Sequence, residues 1–171
     1  MNGLPQIAPL SLSNVTTVVF AAVCLWTIAA QARGNIVKLW RLAVPPCFAA
    51  VQAFVLLAGV IDATLVSDAE WLAAALVGAL LWRIRGWTVA VDVDRMRDLA
   101  RQHRASDALL AGVALLMLAL IDFISAALQD PVIEPQHVAA GAAFCAAYLG
   151  WRALAIAVRV THLPHIELHS T

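Results

Sequence analysis

Three ionisable side chains within or beside long apolar runs stand out as candidates for function: Asp62, Asp122 and Arg152. Withdrawing a charge from water is costly, so residues of this kind mark candidate ion or proton pathways, or buried ion pairs. Asp62 and Asp122 lie towards one end of their runs, within reach of an interface with water. Arg152 lies deeper, eight residues before Val160, or roughly 12 Å along a helix axis at ~1.5 Å per residue. Two readings of Arg152 stay open. Its long stem lets the guanidinium snorkel to the polar surface, or it takes an internal partner such as Asp107 or Gln52. Asp122 and Arg152 are expected at depths too different for a direct pair.

The remaining reactive residue types offer less. Cys24, Cys47 and Cys145 all sit in apolar runs, with no CxxC spacing and an odd total, which reads as three small hydrophobes rather than a redox or zinc framework. A reactive thiol is the alternative. No histidine lies in the middle of a run, so the paired axial ligands of a membrane haem are not offered. The single lysine, Lys38, falls between runs and cannot form a Schiff base inside a bundle. No HExxH, phosphate-cradling glycine loop or Ser/His/Asp set is present. His162, His165 and His169 have a metal-like spacing, but Pro164 interrupts any helix that would align them. His103 and His137 read as isolated, solvated loop residues. No catalytic group, cofactor or metal is expected.

These residues must be held by elements suited to lipid. Of 171 residues, 63% are apolar and 13% charged, against a usual charged share of ~25%, and the mean hydropathy is +0.84. That composition fits a chain whose solvent is a bilayer. Eleven Lys+Arg balance eleven Asp+Glu, which argues against a nucleic-acid partner, since one would require a net basic footprint.

Apolar runs at about residues 15–31, 43–61, 70–87, 107–128 and 138–160 approach the ~20 residues that cross a ~30 Å hydrocarbon core. The expected fold is therefore an all-α integral membrane protein, a single bundle of five transmembrane helices over residues 1–171. Pro45-Pro46 opens the second run, where proline is tolerated. Residues 1–12 carry no charged side chain, unlike the basic start of a secretory signal, so the first run reads as a retained span. The third run is the weakest and has a re-entrant segment as its alternative. Charge placement favours a full span. With the N-terminus outside and the C-terminus inside, all eleven basic residues fall on one side, the side that Lys/Arg-rich loops mark as cytoplasmic. The same assignment leaves side-chain sums of +6 inside and −6 outside. Trp40, Trp82 and Trp87 are then expected at the inner boundary, and Trp71 at the outer one, as belt aromatics.

One cytoplasmic connection, residues 87–104, is long enough to fold. Thr88 to Asp94 alternates with period two and is rich in valine, the pattern of a strand. A turn over Asp92–Arg95 and a return strand over Met96–Arg101 complete a hairpin. The competing reading makes 94–104 a short amphipathic helix with Met96, Leu99 and Ala100 on one face. The six arginines from 83 to 104 attract anionic headgroups, or instead pair with Asp92, Asp94, Asp98 and Asp107. Small residues recur at spacing four as Ala139, Ala143 and Ala147, with Gly141 and Cys145 beside them, and as Ala74 with Gly78. Such faces let helices pack closely; a groove for a partner helix or lipid is the alternative.

Three features together resemble a known family. The third run ends Leu81-Trp82-Arg83-Ile84-Arg85, an alternating segment from Trp87 to about Arg101 follows, and the last run carries Gly150-Trp151-Arg152-Ala153-Leu154. Over roughly residues 15–160 this layout is similar to the CcdC-like group of small bacterial inner-membrane proteins. The resemblance implies a multi-pass protein of the bacterial cytoplasmic membrane, with Arg83, Trp151 and Arg152 as family-like positions. The family's name hints at cytochrome c maturation, for which this chain offers no thiol pair. The expected function is that of a non-catalytic accessory or assembly subunit of a larger membrane complex. Its partners would be the bilayer and other membrane proteins or further copies of itself. The alternative is a small transporter or ion-conducting protein using Asp62, Asp122 and Arg152.

Overall fold

Each long apolar run becomes one helix, and the polar connections become turns, a 3-10 segment and three short strands. The computed structural model describes residues 12–60, 65–85, 89–103, 105–129, 131–164, 166 and 168. In chain order the elements are α1 (Leu12–Ala32), β1 (Ile36–Lys38), a 3-10 turn (Leu39–Ala43), α2 (Val44–Ala58), α3 (Leu65–Arg85), β2 (Val91–Asp94), β3 (Leu99–Gln102), α4 (Ser106–Leu128) and α5 (Pro135–Val160). The fold is 76% helical. Among the described residues five helices are long and apolar enough to cross a membrane, counting the 3-10 turn with α2 and taking α3 only to Arg83, and these stretches run from 19 to 26 residues. Asp62, Trp87, Thr88, Arg104, His165 and His169 lie outside the described residues.

Local chemistry sets the ends of these elements. Proline occupies the first turns of α2 and α5, where the backbone N–H it lacks would have had no intrahelical partner. Gln129 closes α4 in the left-handed conformation, at φ 55°, the usual stop for a helix C-terminus. Gly34 takes φ +73° between α1 and β1, a conformation glycine adopts without steric cost. The third helix starts at Leu65 and continues unbroken to Arg85. It therefore gains a turn and a half over the apolar run that announced it, because the polar stretch Ser67–Glu70 joins the helix.

α5 is the hub. α3 packs almost wholly on it, α2 packs on both α5 and α1, and α4 packs on α1 and α5. Ala139, Ala142, Ala143 and Cys145 are buried in this seam, so the small-residue face serves internal packing by letting the helices approach closely. The tightest approach is at Gly78, where an added Cβ would run into the Phe144 carbonyl. Cys24, Ala49, Ala53, Leu56, Ala108 and Leu115 complete the main core.

The second core lies at one end, beneath a three-stranded antiparallel sheet of order β1-β3-β2. Val37 and Val93 flank Ala100 in register, and these side chains pack with Trp82, Val91, Ile156 and Val160. The hairpin of β2 and β3 is present, and among the described residues 94–103 form no helix. Its turn lies later than the sequence implied: Asp94 belongs to β2, and residues 95–98 turn. The Asp94 carboxylate accepts the N–H groups of Met96 (3.1 Å) and Arg97 (3.2 Å), an aspartate-capped turn. Two corrections follow. The fold is not purely α-helical beyond a hairpin, because β1 adds a third strand that three residues between two helices cannot announce by periodicity. Trp82 is 2% exposed and belongs to this core, not to a lipid-facing belt; its periodic position sits on the α5 side of α3.

The cap is tied down from several directions. Arg95 donates to the carbonyls of Val160, Thr161 and Leu163 at the end of α5. Arg159 donates to Val89 O at 2.8 Å, and Arg101 to Gly34 O at 3.1 Å. The N–H of Ile166 reaches Val93 O at 3.0 Å, so the tail covers the outer edge of β2, an edge that would otherwise template pairing with another chain.

Candidate functional site

Asp107 lies in the first turn of α4, where the helix dipole favours negative charge. α5 carries Tyr148 and Arg152 one turn apart, and residues four apart share a helix face. Both reach the same atom. Arg152 Nε stands 3.0 Å from Asp107 Oδ2, and the Tyr148 hydroxyl donates to that oxygen at 2.9 Å. Trp82 of α3 closes the cluster: its ring centre is 5.7 Å from the guanidinium carbon of Arg152 and 6.0 Å from the Tyr148 ring, edge-on at 87°. Arg152 is 4% exposed, whereas the Asp107 side chain is 20% exposed. Of the two open readings of Arg152, the geometry selects the internal partner, and it is Asp107. Gln52 is engaged elsewhere, donating to Leu115 O at 3.2 Å.

Asp107 opens onto a crevice of about 800 Å³ at the cap end of the bundle. The end of α1 (Arg33, Gly34), the sheet (Asp92, Arg101, Gln102) and the start of α4 (Ser106) line it. Two arginines against two aspartates make a mixed wall suited to small polar solutes. Behind it, Gln102 (1% exposed) has neither side-chain amide atom bonded to the protein, and Arg152 Nη2 is likewise unbonded. Both residues line an internal cavity of about 10 Å³, on the scale of a single water molecule.

Asp122 occupies the opposite end of α4, beside a second crevice of about 450 Å³ with Thr17, Ser125 and Gln129. Fifteen residues separate it from Asp107, about 22 Å of helix at ~1.5 Å per residue. Leu115 and Ala119 fill the interval and are fully buried. Arg152 and Asp122 are thus not brought together, in keeping with their separate depths. Asp62 lies outside the described residues.

No family model, curated protein or solved structure matches the chain. Its chemistry has to be read from its own side chains.

Arg83 and Trp151 stand apart from the buried cluster. Both line a groove of about 460 Å³ on the outer surface between α3 and α5. Consecutive positions on α5 face different surroundings, Trp151 outward and Arg152 inward, since successive helix residues step by about 100°. The solitary histidines also need correcting. His137 Nδ1 contacts Glu70 Oε1, its Nε2 lies 3.5 Å from Glu134, and His103 lies 3.7 Å from Asp92. Glu70 comes from a helix 67 residues away, which the chain alone does not reveal, whereas Glu134 and Asp92 are near neighbours in sequence. All are partly exposed, so each contact contributes little to stability. Among the described residues no three His, Cys, Asp or Glu side chains gather to hold a metal.

Tyr148 and Gln102 are the cluster members not singled out from the sequence, and Trp82 was expected at a lipid boundary instead. Tyr148 carried a signal: it is the only tyrosine and stands four residues before Arg152. Gln102 carried none, because its place depends on the pairing of β3.

Proposed function

We propose that the chain is a non-catalytic, multi-pass membrane protein that serves as an accessory or assembly subunit of a larger complex in the bacterial cytoplasmic membrane. In this reading all five helices cross the bilayer, with the N-terminus outside and the cap inside. Two distributions support it. Arg33, Arg95, Arg97, Arg101 and Arg159 gather around the cap, whereas Glu70 and Glu134 meet His137 at the far end, the asymmetry that Lys/Arg-rich cytoplasmic loops produce. The layout shared with the CcdC-like group supports the same placement.

The observation that carries the subunit reading is the fixing of the hairpin. A segment that merely joined two spans would need no anchors. This one is bonded to β1, to the carbonyls ending α5 and to the tail. It holds Met96 87% exposed at its tip beside Arg97. A rigid, apolar-tipped display on the basic face is what a docking partner would engage. Gentle detergent extraction from the native membrane followed by native mass measurement tests this. A heavier species that Met96→Asp dissociates is expected; a strictly monomeric species would overturn it.

A second reading, ion or solute conduction, is favoured by the two crevices that end at Asp107 and Asp122. Flux in proteoliposomes that Asp122→Asn and Arg152→Gln each abolish would establish it in place of the first.

A further inference from the structure

The groove between α3 and α5 has a polarity of its own. Leu76 and Leu80 form one wall, and Trp151, Leu154 and Val158 the other, with Arg83 at its cap end. Seven residues from Leu76 to Arg83 make it about 10 Å long on α3, at ~1.5 Å per residue. Arg159 stands at the same end, its guanidinium steadied by the 2.8 Å bond to Val89 O. Among the described residues no acidic side chain lines the groove. Arg83 is exposed and has no side-chain hydrogen bond or ion pair among the described residues. The pattern is a cationic rim over an apolar trough.

We propose that this groove binds one anionic phospholipid, its phosphate on Arg83 and Arg159 and the first part of an acyl chain against Leu80, Leu154 and Trp151. The inference rests on the reading of the chain as a membrane protein with its cap on the cytoplasmic side. Charge complementarity selects this occupant. A partner helix or a second copy laid along the trough would cover Arg83 with apolar surface and leave its charge uncompensated, which is costly. A zwitterionic lipid would bring its own cation to the rim. Basic sites between helices at the cytoplasmic boundary suit anionic headgroups, and interfacial arginine contributes about 1 kcal/mol each to such attraction.

The test uses the full chain in mild detergent, with native mass spectrometry against phosphatidylglycerol, phosphatidylcholine and inorganic phosphate. Retention of one phosphatidylglycerol in preference to phosphatidylcholine is expected. Arg83→Gln should weaken it about fivefold, the factor that ~1 kcal/mol sets. Ala79→Phe, which fills the trough while leaving both arginines, should weaken it as well. Equal retention of the two lipids would overturn the proposal, as would a preference unchanged in Arg83→Gln. Competition by inorganic phosphate would assign the rim to a free anion, and a dimer that Ala79→Phe dissociates would assign the trough to a second copy; either overturns it. A chain that stays soluble without detergent would instead overturn the membrane reading itself. Helicity by circular dichroism, expected to be unchanged, separates lost binding from lost folding in both variants.

Discussion

Tyr148 and Arg152 share one acceptor, Oδ2 of Asp107, so a single carboxylate oxygen at the start of α4 fastens two successive turns of α5. The pair is more than a point charge contact. Trp82 covers the guanidinium from α3, and three helices therefore meet where the bundle joins its sheet.

Removing the carboxylate should expose how much that junction contributes. Asp107→Ala leaves Arg152 charged and enclosed, and breaking a buried pair from one side costs about 3–5 kcal/mol. Because Asp107 is partly open to the crevice, a loss near the lower figure is expected in denaturant unfolding in detergent. Asp107→Leu combined with Arg152→Met should restore most of it. A change below about 0.5 kcal/mol for Asp107→Ala, the scale of an ordinary surface substitution, would show that the pair is not structural.

Gly78 offers a steric test with an internal control. A methyl group there meets the Phe144 backbone, while one at Gly150 meets nothing within 4 Å. Gly78→Ala should cost about 1–3 kcal/mol as overpacking, and Gly150→Ala should be neutral or slightly stabilising. Thermal melting of the two variants side by side decides it, and equal effects would mean that α3 and α5 are not in close contact.

The turn of the hairpin depends on Asp94, which accepts three backbone N–H groups: Met96, Arg97 and Leu168. Asp94→Ala leaves those donors unbonded at about 1–3 kcal/mol. Hydrogen exchange should speed up in residues 91–102 while the helices keep their protection. Uniform loss across the chain would instead mean that cap and bundle unfold as one unit.

Thiol chemistry reads burial directly. Cys24 and Cys145 are buried and Cys47 is exposed. N-ethylmaleimide should add once to the folded protein and three times after denaturation, and Cys47→Ser should abolish the fast adduct. Labelling that survives Cys47→Ser would contradict the packing of α1 or α5.

The helices were legible because each is written in one continuous apolar run, and lipid-compatible composition leaves few other ways to fold it. The hairpin was legible from the alternation after Thr88, though its turn was placed too early: Asp92 and Asp94 look alike in sequence, and only pairing with Leu99 puts Asp94 in the strand. β1 escaped because Ile36–Lys38 borrows its partner, β3, from more than sixty residues away. The site divides the same way. Arg152 and its candidate partner Asp107 could be named from a buried charge in need of a counter-charge. Trp82 was misplaced because a tryptophan near a helix end suits a lipid boundary and a covered core equally well, and the choice lies in which face α5 occupies.

The central position of α5 has a consequence in time. Synthesis runs from the N-terminus, so α1, α2 and α4 have one another to pack on, whereas α3 emerges long before the one helix that covers it. Until α5 arrives, the face of α3 bearing Gly78 and Trp82 lacks the surface that covers it in the finished fold. The nascent chain therefore passes through a stage with an unclaimed helix, and that stage lasts through the synthesis of the fifty residues from 85 to 135.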